Sequence, residues 1–203
     1  MVRLLASLLV LPLATALWAQ APSSSSKPST HAKPSLPEPG AISDGVYRNP
    51  AFGFSYKLPY GWVDRTGDMR DDSVDASRSR VLLAIFERPP QATGDTVNSA
   101  MLIAAEPLFA GMKTAAEYFE SLSALTIAKG FQADEEPHEF SVGTRKLVRG
   151  DFSKPRGTLT MHQTSLVTLE KGYAVSFTFI GGSEDEVNEL IEKLSFAAKK
   201  TAQ

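Results

Sequence analysis

The sequence predicts an α+β domain, an antiparallel β-sheet with helices packed on it, and three observations predict that class. Phe52, Phe54, Tyr56 and Leu58 fall at every second position, as do Tyr173, Val175, Phe177 and Phe179; this is the period of a strand with one buried face. Thr114-Ala115-Ala116-Glu117 and Ser183-Glu184-Asp185-Glu186 are capping-box patterns, each followed by apolar residues at helical spacing. Val81 to Phe86 and, largely, Val97 to Ala105 are apolar on both faces, so the sheet needs cover on both sides, at least in part. Strands, a helix, more strands and a closing helix order themselves as an antiparallel sheet with packed helices.

Taken in order, the chain opens on the layout of a secretory leader. Met1-Val2-Arg3 is a short positive start, Leu4 to Leu17 is an apolar run too short for a comfortable membrane span, and small residues follow at Ala19 and Ala21. Residues 1–21 are therefore expected to be a cleaved signal peptide, with the mature chain exported to the periplasm or secreted. Residues 22–41 are rich in Ser and Pro, with Leu36 the one large apolar residue, and read as a disordered tether in which His31 has no structural part. The domain is expected over 42–203, where ~160 residues suffice for one core.

Asn49-Pro50 is a turn signal before the first aromatic strand, and Pro59-Tyr60-Gly61 ends it, leaving Trp62 to close one end of a core. Asp64 to Arg80 carries nine charges in seventeen residues and no periodicity, the pattern of a long exposed loop. The strands of Val81 to Phe86 and Val97 to Ala105 come next. The helix opened by Thr114 places Tyr118, Phe119, Leu122 and Leu125 on one stripe and stops at Lys129-Gly130. Phe140 to Val142 and Lys146 to Phe152 make a hairpin across Gly143-Thr144, and Lys154 to Gly157 is the next turn. Thr158 to Leu169 turns through Lys171-Gly172 into the strand Tyr173 to Ile180. The last helix sets Val187, Leu190, Ile191 and Leu194 on a single buried face.

The opening segment is also one that a known family uses. Tyr47, Phe52-Gly53-Phe54-Ser55-Tyr56 and Leu58-Pro59-Tyr60-Gly61-Trp62, with Phe177 to Ile180 and Leu194-Ser195-Phe196 at the other end, resemble the opening and closing motifs of PsbP-like domains. The resemblance implies an α/β/α sandwich around an antiparallel sheet that acts as a non-catalytic binding or assembly module. It carries over no site residue.

Composition and motifs narrow the chemistry. The absence of cysteine excludes disulfides, thiolate metal sites, a cysteine nucleophile and a lipid-anchoring cysteine. Losing Arg3 with the leader takes the net charge from −2 to −3, the wrong sign for nucleic acid. No nucleophile elbow, phosphate loop, His-Glu-x-x-His or EF-hand pattern is present, so no cofactor, resident metal or catalytic residue is expected. His138-Glu139 beside Asp134, Glu135 and Glu136 has metal-ligand chemistry, but neighbours on a strand point to opposite faces, and a charged surface turn accounts for them. Asp68, Asp71, Asp72 and Asp75 suit calcium, although interleaved arginines compete for the same carboxylates.

The expected function is that of an exported, non-enzymatic binding or assembly module whose partner is an envelope protein or complex. After the leader is removed no membrane span is expected; the oligomeric state stays open. Arg65, Arg70 and Arg78, with Asp68, Asp71 and Asp72, are the candidate partner contacts, because guanidinium groups grip carboxylates bidentately. Tyr47, Tyr60, Trp62 and His162 are a candidate ligand surface, the aromatic three being equally suited to closing the core. The alternatives are a secreted hydrolase or metal-dependent enzyme with a scattered site, and a small-molecule or metal carrier; a pocket of converging polar groups would favour either. The leader makes a direct prediction: protein purified from an envelope fraction should begin between Gln20 and Pro22 by intact mass, and retention of Met1 would rule out cleavage.

Overall fold

Alternating apolar residues demand partners on one face, and the chain supplies them with two sheets laid against each other. The computed structural model describes residues 38–71, 79–89, 91 and 94–197. The smaller sheet is built from β1 (Ala41–Ser43), β2 (Val46–Asn49), β3 (Phe54–Lys57) and β12 (Leu194–Phe196), in the order β1-β2-β3-β12. The larger contains β4 (Val63–Asp64), β5 (Arg80–Phe86), β6 (Ala100–Pro107), β7 (Gln132–Ala133), β8 (His138–Val142), β9 (Arg145–Arg156), β10 (Leu159–Glu170) and β11 (Tyr173–Gly181). Its order is β4-β5-β6-β11-β10-β9-β7, with β8 also on β9, and every pairing is antiparallel. Tight turns at Asp44-Gly45 and Lys171-Gly172 have positive φ at both residues, the twist-compatible geometry for a two-residue hairpin.

Three helices complete the chain among the described residues: α1 (Thr66–Asp71), α2 (Ala115–Ala128) and α3 (Glu184–Ile191). One face of the large sheet is covered by α2, which buries Tyr118 and Phe119 against Phe131, Phe152, Val167 and Ala174. The other face is covered by the small sheet and α3, where Tyr47, Phe54, Tyr56, Val187 and Leu190 meet Leu83, Ile103, Phe177 and Phe179. Of the two middle strands β5 is buried on both faces, with Leu82, Leu83, Ala84 and Ile85 at most 1% exposed, while on β6 Leu102 and Ala104 are half-buried. Helix material lies on both faces of an antiparallel sheet, as the α/β/α reading implied.

Both predicted helix starts form. Thr114 accepts from the Glu117 N–H while the Glu117 carboxylate accepts from the Thr114 and Lys113 N–H groups, a complete capping box. In α3, Ser183 accepts from the Glu186 N–H, but the Glu186 carboxylate reaches one residue further back, to the Gly182 N–H at 2.7 Å, and also accepts from the Ser99 hydroxyl.

Several expectations are corrected. Asp64 to Arg80 is not one long exposed loop: β4 and α1 occupy its first half. Thr66 is buried, its Oγ1 accepting from the Ala84 N–H at 2.9 Å and donating to Asp64 Oδ1, which ties this short helix to β5. A helix of six residues is too short to show a periodic stripe. Ala41 is in strand rather than in the tether. The turn expected at Lys154 to Gly157 falls at Gly157-Thr158, since β9 runs on through Pro155; β7 pairs no further along β9 than Ser153, so no ladder on that side needs the missing N–H. Leu125 is 62% exposed, and Leu194 is buried from β12 instead of from the last helix. Two-residue β7 had no pattern to announce it.

Gly150 sits where α2 meets the sheet, and a Cβ built on it would lie 2.4 Å from the Phe119 ring, which stacks on Phe152 at 6.3 Å. Gly150→Ala should therefore lower the free energy of unfolding by about 1–3 kcal/mol. Urea denaturation measures this, and an unchanged midpoint would show that the helix yields without loss.

Candidate functional site

Concavities among the described residues include a polar cleft, an open groove and a smaller hollow. Along β9 and β10 the residues facing away from α2 include Arg149, Asp151, His162 and Thr164, with Asp151 directly opposite Thr164 in the ladder. The first turn of α3 crosses over them with Glu184 and Asn188, enclosing a cleft of about 300 Å³. Arg149 grips Asp151 through Nε (2.8 Å to Oδ2) and Nη2 (2.9 Å to Oδ1), and its Nη2 also donates to Asn188 Oδ1 at 3.0 Å. The guanidinium lies 5.0 Å from the centre of the Phe140 ring. The Thr164 hydroxyl donates to Asp151, and Ser153 donates to Asp134 at 2.5 Å on the cleft wall.

Burial pushes the Asp151 carboxyl up, but the hydrogen bonds from Arg149 and Thr164 and the arginine charge outweigh it and hold it below the usual carboxylate range. This carboxylate ties β9 to β10, and the Arg149 guanidinium that it holds reaches α3 at Asn188. His162 lies in the same cleft, its Nδ1 buried without a hydrogen-bond partner and 4.0 Å from Glu184 Oε1. A general base needs a nucleophile within hydrogen-bond reach and a group orienting its far nitrogen. The cleft's Thr164 hydroxyl instead points its proton at Asp151. Chemically, the arrangement pins α3 to the sheet. Among the described residues no cluster of three or more His, Asp or Glu side chains has metal-holding geometry, the 134–139 segment included.

The second concavity is a groove of about 710 Å³ between α2 and the β8–β9 hairpin. Ala116, Phe119, Glu120, Ser123, Ala124 and Ile127 recur at three- and four-residue intervals and form one wall of it. The floor includes Val148, and the opposite rim is the segment Glu136 to Glu139 with Lys146. Ile127 is 49% exposed. Sequence reasoning missed this site, because the stripe contains two alanines and a serine and reads as the solvent side of the helix.

The third, about 290 Å³, lies where β1 passes α1 and brings together two of the expected residues, Tyr47 and Arg70. Neither offers its polar end freely. Arg70 donates from Nε to the Val81 carbonyl at 2.7 Å and from Nη2 to the Leu82 carbonyl at 3.1 Å. The Tyr47 hydroxyl accepts from the Gly40 N–H and the Asn49 amide, and burial raises its pKa. Of the other expected residues, Arg65 pairs with Asp68 at 3.1 Å and lies over the Phe86 ring. Asp71 ends α1; Asp72 and Arg78, like the leader and residues 22–37 of the tether, lie outside the described residues. Trp62 is half-buried against the core, while Tyr60 is fully exposed, so the three aromatics do not form one surface.

The chain matches no protein-family model and no curated protein. Its fold is similar to a set of solved structures that includes the following three. A Bacteroides thetaiotaomicron protein aligns at 14% identity with a TM-score of 0.44 over 80% of this chain and 52% of its own, so this chain spans about half of that relative. Cyanobacterial PsbP from Synechocystis aligns at 16% identity and a TM-score of 0.48, over 80% of this chain and 99% of its own. LpqN of Mycobacterium tuberculosis, described as involved in cell envelope biogenesis, aligns at 14% identity and 0.42 over 79% and 87%. A PsbP structure is thus among the folds that this chain is similar to, as the motif resemblance implied.

The polar lock yields a pH dependence. A carboxyl held below its unfolded value stabilises the fold above pH ~4, and that contribution is lost as pH falls through the folded value. Asp151→Asn should cost about 1.5–3 kcal/mol at pH 7. The gap to the parent protein, followed by urea titration, should close below pH ~4; a gap that persists there would assign the loss to packing.

Proposed function

We propose that the protein is an exported binding or assembly module that works without catalysis, and that the groove between α2 and the β8–β9 hairpin is its binding site. The observation that carries this reading is the spare stripe of α2. A helix of this kind is held by one apolar face, yet here a second face, from Ala116 to Ile127, borders an open groove with an apolar floor and a charged rim. An apolar centre ringed by polar groups is the anatomy of an interface. The polar cleft supports the non-catalytic side of the proposal, since Arg149, Asp151, Thr164 and Asn188 bond to one another. Export rests on the leader-like sequence of residues 1–21, and no helix among the described residues is long and apolar enough to cross a membrane.

A photo-crosslinking amino acid at position 124, in the groove, and a second at 159, an exposed position on β10, test the site in cells. Crosslinking to a discrete species from 124 and not from 159 is expected. With that species purified, Ala124→Trp should raise its Kd at least tenfold, since 1.4 kcal/mol of blocked contact is enough. Equal crosslinking from both positions, or a Kd unchanged by the tryptophan, would remove the groove from the function.

A further inference from the structure

Resting on the groove as the binding site, we infer that its occupant is an extended peptide segment with apolar side chains and a lysine or arginine seated at the rim. The shape points to a chain rather than to a small molecule. Ala116, Ala124, Ile127 and the whole segment Glu136 to Glu139 are exposed, so the cavity is a trough open along its length. A small ligand needs most of its surface enclosed, whereas a peptide is satisfied by one continuous wall. The α2 stripe from Ala116 to Ile127 runs roughly 16 Å at 1.5 Å per residue. An extended segment covers that length in about five residues.

The walls suit an extended backbone as well. Ala116, Ser123 and Ala124 are small, which lets a partner's main chain come close to the helix. Opposite, β8 has a strand partner, β9, on one side only among the described residues. A segment lying along β8 gains backbone hydrogen bonds there and directs alternate side chains toward the α2 stripe.

Charge complementarity specifies the cation. The rim carries Glu120 on the helix and Glu136 and Glu139 on the facing segment, against Lys146 and His138. Lys146 is already paired with Glu139 at 2.9 Å, and His138 lies 3.5 Å from Glu135. Glu120 and Glu136 make no ion pair among the described residues, so the rim is left acidic on both walls. A partner with a basic group between them is attracted and registered, and an acidic one is repelled.

The probes are two labelled seven-residue peptides, one alternating leucine and lysine and one with glutamate in place of every lysine. Fluorescence anisotropy on the mature chain from Pro22 onward, with its tether, should show the lysine peptide binding at least tenfold more tightly. The double variant Glu120→Lys, Glu136→Lys should invert that order, both positions being exposed so that the fold is kept. Glu189→Lys on α3 with Glu192→Lys at its C-terminal cap makes the same change in net charge and should leave the order as it was. Ala124→Trp should abolish binding of both peptides. If the glutamate peptide binds as well as the lysine peptide, or the α3 reversal inverts the order equally, the inferred cation is wrong, while loss of binding in Ala124→Trp still upholds the groove. If the lysine peptide binds Ala124→Trp undiminished, the groove falls with the inference. If neither peptide binds, the inferred occupant is wrong and the crosslink from position 124 alone judges the site.

Discussion

The contact on which the rest of the structure depends is the aromatic interlock between the opening hairpin and β11. Phe52 meets Tyr173 at 5.8 Å, Phe54 meets Phe177 at 5.0 Å nearly edge-on, and Tyr56 meets Phe179 at 6.3 Å. Each pair joins residues more than a hundred positions apart, so the start of the domain cannot bury its rings until the last long strand is in place. Phe196 of β12 then closes on both Phe54 and Phe177, and the Tyr56 hydroxyl donates to the Leu190 carbonyl of α3. Edge-to-face rings contribute ~0.5–1.5 kcal/mol per pair beyond their burial. With no disulfide to constrain the unfolded chain, burial of this kind has to carry the fold.

Because the interlock uses one face of β11, the two sides of the large sheet are settled differently. On the aromatic side the small sheet and α3 fill the space, and polar interruptions there include the pairs Arg149–Asp151 and Arg145–Glu170. On the other side α2 is the one helix over β9 and β10 among the described residues, with Leu108, Met112 and Phe131 packed beside it. One helix is about 10 Å wide, and the sheet extends past it to β8. The groove is what remains between a helix of that width and the outlying hairpin, and it lies away from the contacts that stabilise the core.

Much of this was legible in the chain because it depends on local spacing. The alternation at Phe52 to Leu58 and Tyr173 to Phe179 names the faces that meet, and the two capping patterns place the starts of both helices to within a residue. What was not legible depends on distant partners. Six residues of α1 are held by Thr66, which accepts from the Ala84 N–H, and by Arg70, which donates to the Val81 and Leu82 carbonyls, and no window around Asp64 contains those partners. Leu194 fits the helical stripe of α3 by spacing, but the edge of β3 claims it as a strand residue. His162 and Tyr47 stand out in the chain as candidate ligand-surface residues; only the surrounding strands show that one lines a cleft whose Arg149, Asp151 and Thr164 bond to one another and that the other is buried.

The same limit explains why the groove escaped a reading by hydrophobicity. A stripe of Tyr118, Phe119, Leu122 and Leu125 is the most apolar line on α2, and it predicts a helix rotated to bury Leu125. The helix instead buries Thr126, whose hydroxyl donates to the Leu122 carbonyl at 2.9 Å and so enters the interior without an unmet proton. That rotation is fixed by the Phe119 ring over Gly150, where no side chain competes for the space. It turns Leu125 outward on one side and, on the other, lays Ala116, Ser123, Ala124 and Ile127 along the uncovered end of β9. A helix oriented only by its own greasiest line would have left no such trough; a ring fitted against a glycine determines which face α2 keeps spare.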